Sequence, residues 1–239
     1  MEFEADVQDI ITRVDEVKSF RFKRPASFEY KPGQFMYIKI KGESKELLKH
    51  FTISSSPSED YLEFTKKLTG SDFSNALGAL KVGDKVGING PFGFFTFEGE
   101  FEKIGILTGG IGITPFRSMV RYCTDRQMAT NIILLYGNHC EKDIVFKKEF
   151  EEIQEQNKKF KVIFILSEPD DGWTGKKGRI NLDVVGIEIP DYKERMFYIA
   201  GPPPLVEAMD NLLKELNLPQ GQIKKEDFPG YEKLKIFSH

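Results

Sequence analysis

The chain has 239 residues, 40% of them hydrophobic and 30% charged, and a net charge of −3 at pH 7. That length suits one large domain or two of ordinary size, and the slightly negative charge leaves no basic footprint for a nucleic acid. Two cysteines, Cys123 and Cys140, exclude a disulfide framework and a four-cysteine iron–sulfur cluster held by this sequence.

Sparse cysteine fits a reducing compartment. No apolar run approaches bilayer-spanning length, and the acidic start Met1-Glu2-Phe3-Glu4 has no signal-peptide core. The expectation is a cytoplasmic protein with no membrane span and no metal site.

The first hundred residues read as short strands punctuated by turns. Strands are expected over 3–12, 17–23, 35–40, 50–54, 61–66 and 85–89, with turns at Lys31-Pro32-Gly33-Gln34, Val82-Gly83-Asp84 and Gly90-Pro91-Phe92-Gly93. One helix, about 71–80, interrupts them. This spacing predicts an antiparallel barrel or sandwich. Within it, Lys49-His50-Phe51-Thr52-Ile53-Ser54 sets a cation, an aromatic ring and hydroxyls on one extended segment. Alternation puts Lys49, Phe51 and Ile53 on one face and His50, Thr52 and Ser54 on the other. Composition alone reads this as a polar strand end running into a Ser-Pro turn. Gly70-Ser71-Asp72-Phe73-Ser74 opens the helix, a start that suits an anion or an ordinary N-cap equally. The aromatic run at 92–97 is expected to be domain-interface core, with an exposed docking patch as the other reading.

From Lys103 the pattern changes to strand–helix alternation. Strands are expected over 104–108, 132–136, 160–166, 196–200 and 223–226, and helices over 115–126, 142–156 and 205–216. The middle helix turns Ile144, Phe146, Phe150 and Ile153 toward the sheet. Such alternation predicts a five-stranded parallel sheet with helices on both faces, binding its ligand at the carboxyl ends of the strands. The strand-to-helix turn Thr108-Gly109-Gly110-Ile111-Gly112-Ile113-Thr114-Pro115 sits on that edge. Its glycines allow close backbone approach, and the helix start faces a phosphate with unpaired N–H groups. The division expected is a β domain over 1–99 and an α/β domain over 100–239.

Six segments in order then resemble the ferredoxin–NADP reductase superfamily, which joins an antiparallel Greek-key flavin barrel to a pyridine-nucleotide domain. They are Pro32-Gly33-Gln34, Lys49-His50-Phe51-Thr52, Gly70–Leu77 as G-x-x-S-x-x-L, Gly109–Pro115, Gly201-Pro202-Pro203 and Glu226-Asp227-Phe228. The resemblance implies FAD at Lys49, His50, Phe51, Thr52, Ile53, Ser54, Lys66, Gly70, Ser71, Ser74 and Phe228, with Tyr231 as the other candidate for the flavin's outer cover. It implies NAD(P) at Thr108, Gly109, Gly110, Ile111, Gly112, Ile113, Thr114, Pro115, Ala200, Gly201, Pro202 and Pro203. Thr52 is implied near flavin N5, and Glu226 as a proton relay or nicotinamide-orienting group; its plain reading is a solvated charge in Lys224-Lys225-Glu226-Asp227. Three positions depart from the family pattern: Lys49 replaces Arg, Phe51 replaces Tyr, and Ala200 replaces Cys.

The implied activity is hydride transfer from NAD(P)H to FAD, then single electrons to a separate acceptor, or the reverse. A soluble ferredoxin-like protein, an iron–sulfur subunit or a small molecule would be the partner. The alternatives are a reductase using flavin as a diffusing substrate, an FAD-binding electron-transfer subunit of a larger complex, and a nucleotide-sensing module. Ser167 stands where NADP-using relatives carry Arg, and acids follow it, so NADH is expected, with NADPH left open by Lys176, Lys177 and Arg179.

Overall fold

The computed structural model describes residues 1–42 and 45–230; Tyr231 lies outside them. The chain divides into two compact units, one of Met1–Glu98 with Thr114–Tyr122, the other of Gly99–Ile113 with the chain from Cys123 on.

The first unit holds β1 (Glu2–Val14), β2 (Val17–Lys23), β3 (Phe35–Lys41), β4 (Glu46–Thr52), β5 (Tyr61–Lys67), α1 (Asp72–Ala79) and β6 (Lys85–Phe92). They form one sheet in the order β4-β3-β6-β1-β2-β5, with antiparallel pairing throughout. β1 is long because it serves two neighbours: Glu2–Asp6 pair with β6, and Val7–Val14 with β2, the latter pairing broken by two register shifts. The two outer strands meet where Ile53 bridges Phe64 and the Ser54 N–H donates to the Glu63 carbonyl at 2.7 Å. That contact draws the two ends of the sheet together into the expected Greek-key barrel.

Its core is aromatic: Phe64 stacks between Phe20 and Phe22 at 5.1 and 5.9 Å. One charge is buried in the same wall. Glu63, fully buried, accepts from Arg13 and Arg21 at 2.8 Å each and from the Ser54 hydroxyl at 2.9 Å. A carboxylate removed from water needs such partners.

The second unit carries β7 (Lys103–Gly109), β8 (Asn131–Asn138), α3 (Lys147–Gln156), β9 (Phe160–Leu166), β10 (Lys176–Lys177), α4 (Leu182–Glu188), β11 (Met196–Gly201), α5 (Pro203–Glu215) and β12 (Ile223–Asp227). Between β7 and β8 runs α2 (Thr114–Asp125), whose Thr114–Tyr122 portion belongs to the first unit. The sheet is parallel in the order β10-β9-β8-β7-β11-β12. It therefore has a sixth strand, the two-residue β10, beyond the five expected. α4 and α5 pack on one face, where Val185, Leu205, Val206 and Leu213 meet Leu107, Leu135, Ile165 and Phe197. α3 covers the other through Phe150 against Phe160.

The helix expected over 142–156 is split. Residues Glu141–Asp143 make a 3-10 turn, and Phe146 takes a left-handed backbone (φ 61°) before α3 begins. Ile144, Phe146, Phe150 and Ile153 are all buried as expected, but the first two are carried by the turn rather than the helix.

Candidate functional site

The parallel sheet turns back on itself between β7 and β11. The chain moves outward from β7 through β8, β9 and β10, then returns to lay β11 on the opposite side of β7. At such a switch point the loops leaving the two central strands diverge and leave a crevice for a ligand. The two loops here are Gly109–Thr114 and Gly201-Pro202-Pro203.

Their contact is tight. Gly110–Ile113 wind into a 3-10 turn, and α2 starts at Thr114. A Cβ on Gly112 would lie 2.4 Å from the Ala200 carbonyl oxygen and 2.8 Å from Gly201 Cα. A side chain there has no room, so the glycine is required by space. The Thr108 hydroxyl donates to the same Ala200 oxygen at 2.8 Å, and the buried Tyr136 hydroxyl donates to the Gly110 carbonyl at 2.8 Å. These bonds fix the start of the turn. Tyr136 lies near the end of β8, just before Gly137, and nothing in the sequence pattern distinguishes it from a core tyrosine.

β12 extends this edge. Glu226 sits opposite Ala200 and Asp227 opposite Gly201, and the Phe228 N–H donates to the Gly201 carbonyl at 2.7 Å. Phe228 thus joins Ala200, Gly201 and Glu226 in the second unit. Glu226 is not a solvated charge: its Oε2 is buried without a hydrogen-bond partner among the described residues. Burial, with the neighbouring Asp227 adding, pushes its carboxyl up to about 7. A carboxyl tuned to neutrality on a ligand edge is suited to hold or pass a proton.

At the outer ends of β8 and β9, His139 bonds the Ser167 hydroxyl at 3.3 Å and lies 3.2 Å from the Glu168 carboxylate. Lys176 is engaged by Glu188 at 2.8 Å. This corner therefore sets the Glu168 carboxylate beside His139 and Ser167.

In the barrel unit, the segment from Lys49 to Ser54 divides by face. His50 lies on the outside against the Phe35 and Tyr37 rings, 5.1 and 5.7 Å between centroids. Phe51 stacks on Phe64 at 4.9 Å and tilts against Phe73 of α1 at 5.4 Å. Thr52 is buried. Ile53 is barrel core, and the Ser54 hydroxyl is taken up by Glu63 and Thr65, so these two offer a ligand little beyond backbone.

Lys66 on β5 is buried, its Nζ 5.7 Å from the Phe51 ring centre and donating to the Lys67 carbonyl at 3.1 Å. Burial, with the charge of Lys49 adding, brings its ammonium down to about 8. Two cations close enough to repel, one of them beside an aromatic ring, suit an anionic aromatic ligand. Nearby, Ser71 caps α1 by accepting from the Ser74 N–H, and Gly70 has φ +72°. The remaining N–H groups of that first turn have no intrahelical acceptor.

Sequence reasoning missed one constellation altogether. Arg117, in the first turns of α2, is buried and forks onto Glu59 at 2.6 and 2.9 Å, while also donating to the Ser54 carbonyl at 2.8 Å. An arginine three residues into a helix reads as solvent-facing, and no local spacing reveals its partner 58 residues away.

Comparison with known proteins agrees with this geometry. A profile described as the oxidoreductase FAD-binding domain matches residues 4–97, and one described as the oxidoreductase NAD-binding domain matches 106–211. NADH-cytochrome b5 reductase 1 of Dictyostelium discoideum is 30% identical over 80% of this chain and 68% of its own length. The chain belongs to the ferredoxin–NADP reductase superfamily. The glycine betaine monooxygenase reductase subunit of Pseudomonas aeruginosa is 30% identical over 92% of this chain, and the match spans 62% of that relative's length. A solved ferredoxin reductase in carbazole 1,9a-dioxygenase aligns with a TM-score of 0.80 at 26% identity, covering 95% of this chain and 69% of that one.

As a member of this superfamily, the chain carries an FAD-binding and an NAD-binding domain. Both half-sites fit their groups on their own chemistry: the paired lysines and Phe51 fit an anionic aromatic cofactor, and the Gly112 cradle and orphaned Glu226 oxygen fit a nucleotide edge.

Proposed function

We propose that the chain is an FAD-dependent NAD(P)H oxidoreductase that delivers single electrons to a separate redox protein. The observation that carries the reading is the switch-point turn, where Gly112 is wedged against Ala200 and Gly201 beside Glu226, whose carboxyl burial pushes up to about 7. Residues 1–99 hold the flavin and residues 100–239 the nucleotide, with the helix start at Thr114 serving the nucleotide's diphosphate.

FAD, when bound, would supply the chemistry: N5 could take a hydride from a nicotinamide and the pair could leave as single electrons. The protein's part is binding and orientation. Lys49, Lys66 and the α1 start hold the FAD diphosphate, and Phe51 and Thr52 flank the flavin ring. Thr108 and Tyr136 fix the glycine turn, while Ala200, Gly201, Pro202 and Pro203 line the nicotinamide end. Glu226 holds a proton there. Ala200 leaves no thiol at this end, and hydride transfer itself requires none. The Ser167–His139–Glu168 corner favours NADH over NADPH.

The names of the relatives, a monooxygenase reductase subunit and an NADH-cytochrome b5 reductase, support a protein acceptor. A cytoplasmic setting suits the sparse cysteine. The deciding experiment is an anaerobic titration of the FAD-loaded protein with NADH and with NADPH. Stoichiometric bleaching of the flavin band by NADH is expected. A protein that takes up no FAD, or whose FAD stays yellow with both nucleotides, refutes the reading.

A further inference from the structure

Helix α2 begins where the glycine turn ends, yet its Thr114–Tyr122 portion packs with the barrel. Phe116 meets Phe95 edge-on at 5.9 Å, and a Cβ on Gly33 would strike Met119 at 2.5 Å and the Phe95 carbonyl at 2.1 Å. Polar bonds then set its register. Arg117 donates to both oxygens of Glu59 and to the Ser54 carbonyl, and the Ser118 hydroxyl donates to the Ser55 carbonyl at 2.6 Å. Glu59 is held in turn by the Tyr61 hydroxyl and by the Ser56 N–H at 2.6 Å. These bonds from Arg117 and Ser118 land on Ser54, Ser55 and Glu59, in the stretch that begins two residues after Thr52, and Arg117 reaches the Tyr61 hydroxyl as well at 3.4 Å.

The arrangement is costly unless it does something specific. Burial opposes the charge on Glu59, yet the Arg117 fork, with Tyr61 and the Ser56 N–H, holds its carboxyl below the ordinary range. A buried ion pair is poor evidence of stability, since apolar residues of similar volume often serve as well. What a fork fixes is direction and spacing. Arg117 lies one helical turn past Thr114, so fixing it fixes the helix start.

We propose that Arg117, paired with Glu59, is a positioning residue for hydride transfer: it holds the nucleotide-facing start of α2 at one set spacing from the Thr52–Ser56 segment. It touches neither flavin nor nicotinamide and acts through Thr114 on one side and Thr52 on the other. The inference rests on the flavin–nucleotide reading above. Because a misplacement of about 1 Å costs on the order of 100-fold in rate, loosening the pair slows flavin reduction far more than it weakens binding.

The test compares the FAD-loaded wild type, Arg117→Lys and the double variant Arg117→Met/Glu59→Leu, which removes both charges together and leaves none buried alone. The readouts are the FAD dissociation constant, the visible circular dichroism of the bound flavin, the dissociation constant for NAD⁺ and the anaerobic rate constant for flavin reduction by NADH. In the double variant the rate constant is expected to fall about 10- to 100-fold, with both dissociation constants within about threefold of wild type and an altered flavin dichroism. Arg117→Lys, which keeps the charge and loses the fork, falls between.

A double variant that reduces its flavin within about twofold of the wild-type rate overturns the proposal, as does a rate loss matched by equal losses of cofactor affinity. Should the double variant not fold, a wild-type rate in Arg117→Lys overturns it equally. Failure of the underlying reading is seen separately, as a wild type that binds no FAD or is not bleached by NADH.

Discussion

At the scale of single residues, the two most informative groups are ionisable ones held away from their ordinary state. Lys66 has its ammonium brought down to about 8 from 10.5. Between those values the unfolded chain binds more protons than the folded one, so this group's contribution to stability rises with pH through that window and is lost as pH falls through 8. The apoprotein of Lys66→Met is therefore expected to melt higher than wild type at pH 7, with the gap closing towards pH 10.5. Its FAD affinity is expected to drop about tenfold or more, the worth of a charge-assisted bond to phosphate. Thermal melts of the apoprotein and a flavin-fluorescence titration check both, and a variant that binds FAD as tightly as wild type removes Lys66 from the site. Glu226 runs the opposite way. Its carboxyl, pushed from 4.5 to about 7, favours folding while protonated and loses that contribution as pH rises through 7. Glu226→Gln is expected to be more stable than wild type at pH 8 and equal to it near pH 4.5. If the carboxyl also handles a proton in turnover, the limb near pH 7 in the kcat profile disappears in the same variant. A profile unchanged by Gln leaves Glu226 a structural group.

At the scale of elements, the proposed nucleotide site rests on one turn having no side chain where it meets β11. Gly112→Ala places a methyl within 2.4 Å of a backbone oxygen that cannot move independently of the sheet. The turn must shift, at about 1–3 kcal/mol for overpacking. NADH affinity should fall steeply while FAD binding, which depends on the barrel, stays near wild type; parallel loss of both would show that the damage is not local. This turn was legible in the sequence because three glycines between an apolar run and Thr-Pro leave few alternatives. The barrel strands were legible from alternation, and Ser71 from its place before Asp72 and Ser74. Other elements carried no such signal. The first half of β4, Glu46–Lys49, is exposed and polar, so only its pairing with β3 makes it a strand. α4 contains Val184, Val185 and Gly186, poor helix formers held by the Asn181 cap and the burial of Val185. The break at Phe146 puts an aromatic residue in a left-handed conformation, which periodicity cannot foresee. The Arg117–Glu59 pair is invisible for a related reason: it joins positions distant in sequence, and neither has a distinctive local context.

At the scale of the whole molecule, the question is where the electrons go after the flavin. The sequence has two cysteines, both buried in the structure, and these cannot ligate a four-cysteine cluster. Among the described residues no group of His, Cys, Asp or Glu is gathered as a metal site, and no helix is long and apolar enough to cross a membrane. The match covers 62% of the length of the monooxygenase reductase subunit, and within this chain it includes the flavin and nucleotide domains. On the proposed reading these two domains carry the NADH half-reaction, so the chain should pass electrons to any outer-sphere acceptor that reaches the flavin. With ferricyanide as that acceptor, about two equivalents should be reduced per NADH oxidised, because a hydride brings two electrons and ferricyanide takes one. The same preparation discriminates the rival in which flavin is a diffusing substrate. A bound cofactor co-migrates with the protein on gel filtration and supports ferricyanide reduction without added flavin. A substrate flavin separates on the column, and the rate then saturates with the flavin added back. Yellow protein fractions that turn over at full rate establish the electron-transfer reading, whereas colourless fractions whose activity tracks added flavin replace it with the reductase of free flavin.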